Sequence, residues 1–183
     1  ALCHAATEKA AKEKPYATEG ALPLKDTLAV CDSYRNPMFG YFKAYALAQK
    51  SSVSRLTSSA AVAEALTTAG TMAGDYCFPS RLEELAVLKW AANGQMLSDK
   101  GALANTHYYL GEILWNMDQK EAAKASWQVA VKLNPKHALA LRCLGFALSH
   151  PGTYFTNTGV PNGIPSQEAY DWYLKALEAD PGN

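Results

Sequence analysis

The sequence lacks an excess of charge of either sign, a long apolar run and a sustained alternation of apolar and polar residues. Its 183 residues include 17 Lys+Arg and 17 Asp+Glu, so the formal net charge is zero. Because a nucleic-acid partner requires a basic field that neutralises phosphates, this balance argues against that class of ligand. No apolar run approaches the ~20 residues of a membrane-spanning helix, so no transmembrane segment is predicted.

The common catalytic motifs are also missing. The sequence contains neither G-x-x-x-x-G-K-[ST] nor G-x-G-x-x-G, and neither G-x-S-x-G nor H-E-x-x-H. Its four histidines are scattered, and His137 and Cys143 are spaced so that they do not face each other on a helix. We therefore expect no enzyme activity, no cofactor and no metal site.

Four cysteines, Cys3, Cys31, Cys77 and Cys143, form no C-x-x-C pair. They allow two disulfides with three connectivities, and the alternative is that some are buried thiols that pack as small apolar side chains. The sequence begins with Ala1 in place of Met. Together these features favour a processed chain in an extracytoplasmic location, periplasmic or secreted.

The fold class predicted from the pattern is all-α. The chain is rich in alanine and shows no period-2 alternation, so strands are not expected. Residues 1–100 form an N-terminal helical region, with helices predicted over 1–14, 24–35, 38–49, 60–74 and from 80 to about 98. Ser80 and Glu83 are predicted to form a capping box at the start of the last of these helices.

A repeat is visible in the second half of the chain. Gly111 and Gly145 are 34 residues apart, and each follows a leucine within an apolar helical pattern. The small residues allow close approach of two helices, and aromatic residues fill the space between neighbouring helix pairs. The residues that carry the pattern are Leu110, Gly111, Leu114, Ala123, Trp127, Ala130 and Pro135, then Leu141, Leu144, Gly145, Leu148, Ala169, Tyr173, Ala176 and Pro181.

These residues and spacings resemble the tetratricopeptide repeat (TPR) family, whose unit is a 34-residue helix–turn–helix. The resemblance implies two antiparallel helix hairpins over residues 104–183, stacked as a right-handed array and packed with the N-terminal helical region. Gly74, Ala86 and Trp90 suggest a degenerate unit before them. A loop insertion at about 149–165 is read either as a tolerated surface insertion or as a contact loop through Tyr154 and Phe155.

The resemblance also implies a concave wall built by the first helix of each hairpin. At the matching positions stand Asn105, Tyr108, Glu112, Trp115 and Asn116 in the first unit, and Leu139, Arg142, Phe146, Ser149 and His150 in the second. Aromatic side chains with an arginine are typical anchors of interfaces, and the alternative is that N-terminal helices cover these rings as core. TPR co-chaperones that hold acidic tails have Lys and Asn where this chain has Tyr108 and Glu112, so an acidic-tail receptor is not expected.

We therefore expect a non-catalytic scaffold or adaptor that binds a peptide or a partner domain. The last hairpin ends at Pro181 without a following helix, which predicts self-association through its uncapped face as a further mode. The alternative function is a carrier of an apolar small molecule. Ten Tyr and four Trp would then line a pocket between the N-terminal helices and the repeats.

Overall fold

The computed structural model of the chain describes residues 36–54, 59–72, 77–93, 96–149 and 166–182. Within these ranges it contains seven α-helices and no strand, which confirms the predicted all-α class. The helices are α1 (Pro37–Ser54), α2 (Ser59–Thr71), α3 (Leu82–Ala92), α4 (Lys100–Asn116), α5 (Lys120–Leu133), α6 (Ala138–Ser149) and α7 (Gln167–Ala179). The helices predicted over 1–14 and 24–35 lie outside the described residues. None of the seven is long and apolar enough to cross a membrane.

The first described helix is capped by the Asn-Pro pair that interrupts the sequence pattern. The Asn36 side-chain oxygen accepts a hydrogen bond from the Met38 amide at 2.9 Å. Pro37 occupies the first helical position, where a missing N–H leaves no intrahelical partner unsatisfied. The Cys77 thiol also donates to the Asn36 side chain, at 3.5 Å, so the segment before α3 is joined to the start of α1.

The capping box predicted for α3 is displaced by one residue. Glu84, and not Glu83, accepts from the backbone N–H groups of Ser80 and Arg81, at 2.7 and 2.8 Å. The helix begins at Leu82 because Glu84 then stands three residues after the N-cap, within reach of both amides. The prediction that paired Ser80 with Glu83 was wrong.

A tight turn joins α4 to α5 and makes these two helices an antiparallel hairpin. The Gln119 amide donates to the Leu114 carbonyl at 2.9 Å, and the Asp118 amide donates to the Trp115 carbonyl at 3.0 Å. This is a Schellman ending, which requires a left-handed residue just after the helix. Asp118 supplies it with a φ of 59°.

Helices α5 and α7 end in a different turn from α4, and the turn is the same in both. Asn134 accepts from the Lys136 amide at 3.1 Å, and Asp180 accepts from the Gly182 amide at 3.0 Å, each across an intervening proline. Both turns therefore use a side-chain oxygen to bind the backbone two residues later, as Asn and Asp do in turns.

One continuous apolar core includes residues from both halves of the chain, from Met38 in α1 to Ala147 in α6. Helices α1 and α2 pack together, α2 and α3 both pack against α4, and α6 packs against α5 and α7. The Tyr41 hydroxyl of α1 is hydrogen-bonded to the Thr106 hydroxyl of α4 at 2.8 Å, and both side chains are fully buried. Helix α4, the first helix of the C-terminal hairpins, therefore packs directly against the N-terminal region.

The same type of contact closes both C-terminal hairpins. A Cβ atom on Gly111 would overlap the indole of Trp127, and one on Gly145 would lie 3.1 Å from both the Ala169 carbonyl oxygen and the Tyr173 ring. In both pairs a missing side chain on the first helix makes room for an aromatic ring on the second. This repeats the small-residue and aromatic pattern that the sequence shows.

The degenerate unit suggested by Gly74, Ala86 and Trp90 stays a prediction. Helix α2 ends at Thr71, Gly74 lies outside the described residues, and residues 77–80 are not helical. Trp90 contacts the Tyr45 ring of α1 edge-on, at 5.2 Å between ring centres.

Candidate protein-interaction surface

The structure brings together the predicted residues of α4 and α6. Tyr108, Glu112 and Trp115 are spaced so that they lie along one face of α4. They contact His137, Cys143 and Phe146 respectively, in the same order along the chain. The two helices therefore run parallel at this contact. The face formed by Glu112, Trp115, Leu139, Arg142 and Phe146 is called the α4–α6 face below.

The innermost contact joins Tyr108 to His137. Tyr108 is only 4% exposed, its ring lies 5.2 Å from the His137 ring, and its carbonyl accepts from the Trp127 indole N–H at 3.3 Å. Burial raises the pKa of the Tyr108 hydroxyl, with the Glu112 carboxylate as a smaller cause in the same direction. Tyr108 thus contributes to the junction between the hairpins and offers almost no surface to a partner.

His137 caps the start of α6 at this junction. Its Nδ1 accepts from the Ala140 amide at 3.3 Å, while its Nε2 is buried and has no hydrogen-bond partner in the described part of the chain. Burial lowers the pKa of the imidazole to about 4, which keeps the ring neutral at neutral pH. The neutral ring is the form that the cap requires, because Nδ1 must keep its lone pair.

The middle contact is a hydrogen bond from the Cys143 thiol to the Glu112 carboxyl group, at 3.2 Å. Burial raises the pKa of Glu112, and the thiol hydrogen bond and the Arg142 charge oppose that effect. The pKa of Cys143 is also raised, first by burial and then by the neighbouring Glu112 carboxylate. A thiol in this setting stays protonated at neutral pH and is a poor nucleophile.

The outer contact is aromatic. The rings of Trp115 and Phe146 meet edge-on with 5.8 Å between their centres, and Trp115 also packs on Trp127 at 5.5 Å. The Lys120 ammonium lies 5.7 Å from the centre of the Trp115 ring. Trp115 and Phe146 are half-buried, so each has an exposed part that a partner can cover.

Two predicted amides contact the N-terminal region. Asn105 donates through Nδ2 to the Gly70 carbonyl at the end of α2, and Asn116 donates to the Pro79 carbonyl at 3.3 Å. Asn105 is half-buried and Asn116 is exposed. Both side chains therefore help to fix α4 against the segments that precede it.

The remaining predicted residues differ in accessibility. Leu139 is half-buried and Arg142 is exposed, so both contribute to the accessible part of the α4–α6 face. Ser149 is buried and donates to the Gly145 carbonyl at 2.9 Å. His150 and the candidate loop contacts Tyr154 and Phe155 lie outside the described residues.

Sequence reasoning did not assign His137 and Cys143 to this site. The pattern contains a signal for Cys143, since Leu139, Cys143 and Phe146 are spaced four and then three residues apart and share one helix face. His137 precedes the helix as its cap, so helical periodicity could not relate it to Tyr108.

The described cysteines do not form a disulfide. Cys77 and Cys143 are free thiols, and Cys3 and Cys31 lie outside the described ranges. Two disulfides would need all four cysteines, so the two-disulfide alternative is wrong, whereas Cys77 is a buried thiol as the other alternative expected. The extracytoplasmic location stays a prediction. The same ranges contain no group of three or more His, Cys, Asp or Glu side chains that could hold a metal ion.

Two clefts formed by described residues lie within the N-terminal region. One of about 360 Å³ runs between α1 and α2 and is lined by residues that include Phe39, Leu47 and Met72. The other, of about 330 Å³, is lined by Leu66, Trp90 and Met96 among others. Both volumes lie at the lower end of the range of small-molecule sites.

Comparison with known proteins adds no assignment. No protein-family profile matches the chain, and no curated protein matches it.

Proposed function

We propose that this chain is a non-catalytic protein-interaction module that binds a peptide or a partner domain through the α4–α6 face. The observation that carries the proposal is the half-buried pair of Trp115 and Phe146 beside the exposed Arg142. Tryptophan and arginine are enriched among the residues that dominate binding energy, because they present large contact areas and several hydrogen-bond donors.

The junction beneath this face supports the proposal. Tyr108 and His137 join α4 to α6 through a buried contact, and Glu112 and Cys143 do so through a half-buried one. A surface held in place before binding loses less conformational entropy when a partner arrives. Partner side chains that are apolar, with an acidic group near Arg142, fit the chemistry of the face.

We further propose that the two C-terminal hairpins are TPR-like repeats. The matched contacts of Gly111 with Trp127 and of Gly145 with Tyr173 support this proposal. The matched turns at Asn134 and Asp180 are a second, independent similarity between the two hairpins.

The absence of catalysis is part of the proposal and rests on the chemistry of the face. The thiol beneath it, Cys143, has a raised pKa, so little nucleophilic thiolate is present at neutral pH. Glu112 is engaged by that thiol, and no second carboxyl group faces it among the groups that affect its pKa.

A capture experiment tests the proposal. Wild type and the double variant Leu139→Ala/Phe146→Ala would be immobilised and treated with extract of the source cells and a crosslinker. Captured proteins would be quantified by mass spectrometry and the leading candidate purified for a binding titration. We expect the variant to bind that candidate at least about tenfold more weakly, because both substitutions remove accessible apolar area from the α4–α6 face.

The matched control is Val129→Ala, which truncates an exposed apolar side chain on α5. It should bind as tightly as wild type. Equal binding by wild type and by the Leu139/Phe146 variant, with both proteins equally helical, would contradict the α4–α6 face as the site.

A ligand carrier is the second candidate function, favoured by the two clefts of about 360 and 330 Å³ among α1, α2 and α3. These clefts lie within the N-terminal region, and not between that region and the repeats as the sequence suggested. Native mass spectrometry of freshly purified protein separates the two functions. A stoichiometric bound small molecule would favour the carrier, and a chain at its sequence mass would oppose it.

A further inference from the structure

Helix α7 carries an exposed apolar stripe. Tyr170, Leu174 and Leu177 are 54%, 40% and 51% exposed, and their spacing of four and then three residues places them on one face of the helix. The side of α7 that packs inward contains the buried Ala169 and Ala176 with the half-buried Trp172 and Tyr173. The stripe lies outside this inward side and faces solvent.

The matching face of α5 is partly buried. In the register that aligns Trp127 with Tyr173, the positions of Tyr170, Leu174 and Leu177 correspond to Lys124, Gln128 and Val131. Lys124 and Val131 are half-buried, Gln128 is exposed, and α6 packs against α5. Because Tyr170, Leu174 and Leu177 are all at least 40% exposed, the place beside α7 that corresponds to α6 is accessible to a docking helix.

The charges beside the stripe indicate which helix fits. Asp171 and Glu178 are neighbours of Leu174 on the side away from Tyr170 and Leu177, and both are exposed. Neither forms an ion pair within the described ranges, and Asp171 accepts a hydrogen bond from the neutral Gln167 amide at 2.8 Å. The nearby Lys175 ammonium lies over the Trp172 ring, 4.5 Å from its centre. The stripe therefore has an acidic edge.

The acidic edge disfavours binding of a second α7 helix and favours a helix that has basic residues. An antiparallel pair of α7 helices would bring Asp171 and Glu178 against their own counterparts, which is repulsive. Helix α6, which packs against α5, has Arg142 as its only charged residue. A small pocket of about 150 Å³ at the end of the stripe, lined by Tyr173, Ala176 and Leu177 together with Arg142, can receive one apolar side chain.

We propose that the stripe of Tyr170, Leu174 and Leu177 is a second docking site, which binds an amphipathic helix of a partner protein with basic residues along one edge of its apolar face. The docked helix lies beside α7 as α6 lies beside α5. This site lies on α7 and borders the α4–α6 face at Arg142, but it does not depend on the function proposed for that face.

Two synthetic helices of about 18 residues test the proposal, a length at which isolated helices become stable in water. Both carry leucines spaced four and then three residues apart, and their flanking residues are Lys in one and Glu in the other. Fluorescence anisotropy would measure their affinity for the full chain at low and high salt. We expect the Lys peptide to bind at least about tenfold more tightly than the Glu peptide, with a preference that shrinks as salt rises.

Three variants locate the binding. Leu174→Ser/Leu177→Ser should lower the affinity for the Lys peptide at least about tenfold, since these substitutions remove the apolar contact. Asp171→Lys/Glu178→Lys changes only exposed positions and should reverse the preference between the two peptides. Leu82→Ser is the matched control, because Leu82 is 72% exposed on α3, and it should bind like wild type.

The outcomes separate this proposal from its competitors. The Leu139→Ala/Phe146→Ala variant should retain the Lys peptide, so a failure of the α4–α6 face leaves this test unaffected. Equal binding of the two peptides, or an unchanged preference in the charge-reversal variant, would overturn the proposal. A dimer in sedimentation velocity that dissociates in Leu174→Ser/Leu177→Ser would also overturn it, because a second copy would then occupy the stripe.

Discussion

His137 accepts the Ala140 amide through a ring nitrogen that protonation would occupy. Its second nitrogen is buried without a partner in the described residues, so a charged ring would lose the helix cap and lie unsolvated beside Tyr108. Burial is the main cause of the lowered pKa, about 4 against an ordinary 6.5. At this residue helix capping and the packing of the two hairpins depend on the same protonation state.

The sign of the resulting pH dependence follows from these two values. As pH falls through 6.5 the unfolded chain binds a proton at His137, whereas the native chain resists protonation until about pH 4. Stability that is present above pH 6.5 is therefore lost between 6.5 and 4, on the order of 3 kcal/mol. We expect His137→Asn, which keeps a capping side chain, to show a smaller loss of urea-unfolding free energy between pH 7 and pH 5.

The comparison of variants isolates His137 from other groups. Glu112 has a raised pKa and so acts with the opposite sign, but it is present in both proteins. His107→Gln provides a second comparison, since burial also lowers the pKa of His107. Parallel curves for wild type and His137→Asn would contradict a titrating His137.

At the scale of the helices, close approach within each hairpin depends on a glycine facing an aromatic ring. Trp127 is 1% exposed and donates to the Tyr108 carbonyl, so its ring cannot move aside without losing that hydrogen bond. Gly111 lies directly against it. The contact explains why a glycine, a poor helix former, occupies the middle of α4.

We expect Gly111→Ala to lower the free energy of unfolding, since overpacking costs about 1–3 kcal/mol and outweighs the gain in helix propensity. Gly101→Ala in the first turn of the same helix is the matched control, because its nearest new neighbour is the Asp99 carboxyl group at 3.3 Å. Thermal and urea unfolding would measure both. Equal stabilities of the two variants would contradict a close contact at Gly111.

Across the whole molecule, the N-terminal helices and the hairpins share one core. The Thr106 hydroxyl donates to the Ala102 carbonyl at 2.9 Å, so the Tyr41 hydroxyl must be the donor in their mutual bond. Tyr41 also contacts the Tyr109 ring edge-on at 6.1 Å. These contacts span α1 and α4, which belong to the two halves that the sequence separates.

A pair of substitutions at this connection tests its energetics. Thr106→Val leaves the buried Tyr41 hydroxyl without its acceptor, a loss of about 1–3 kcal/mol, whereas Tyr41→Phe removes the donor and costs about 1 kcal/mol. We expect both variants to unfold in a single transition, with Thr106→Val the less stable. Circular dichroism and tryptophan fluorescence recorded through the same denaturant series would measure this. Separate transitions in the two signals would contradict a shared core.

Sequence alone determined the helical class and the approximate position of each described helix, because periodicity and the Asn36-Pro37 and Asn134-Pro135 breaks are local signals. It also identified Gly111, Trp127, Gly145 and Tyr173 as packing residues, since the size of a side chain restricts how closely helices approach. The start of α3 differed by one residue because Glu83 and Glu84 are equivalent in the pattern and only the folded turn selects between them.

Only the tertiary structure decided the accessibility of the predicted surface. One face of α4 contains both Tyr108, which is buried against His137, and Trp115, which stays half-exposed beside Phe146. Periodicity places both on that face but contains no information about which neighbouring helix covers it. The depth of a side chain depends on contacts between residues far apart in the chain, and these arise only when α2, α3 and α6 pack around α4 and α5.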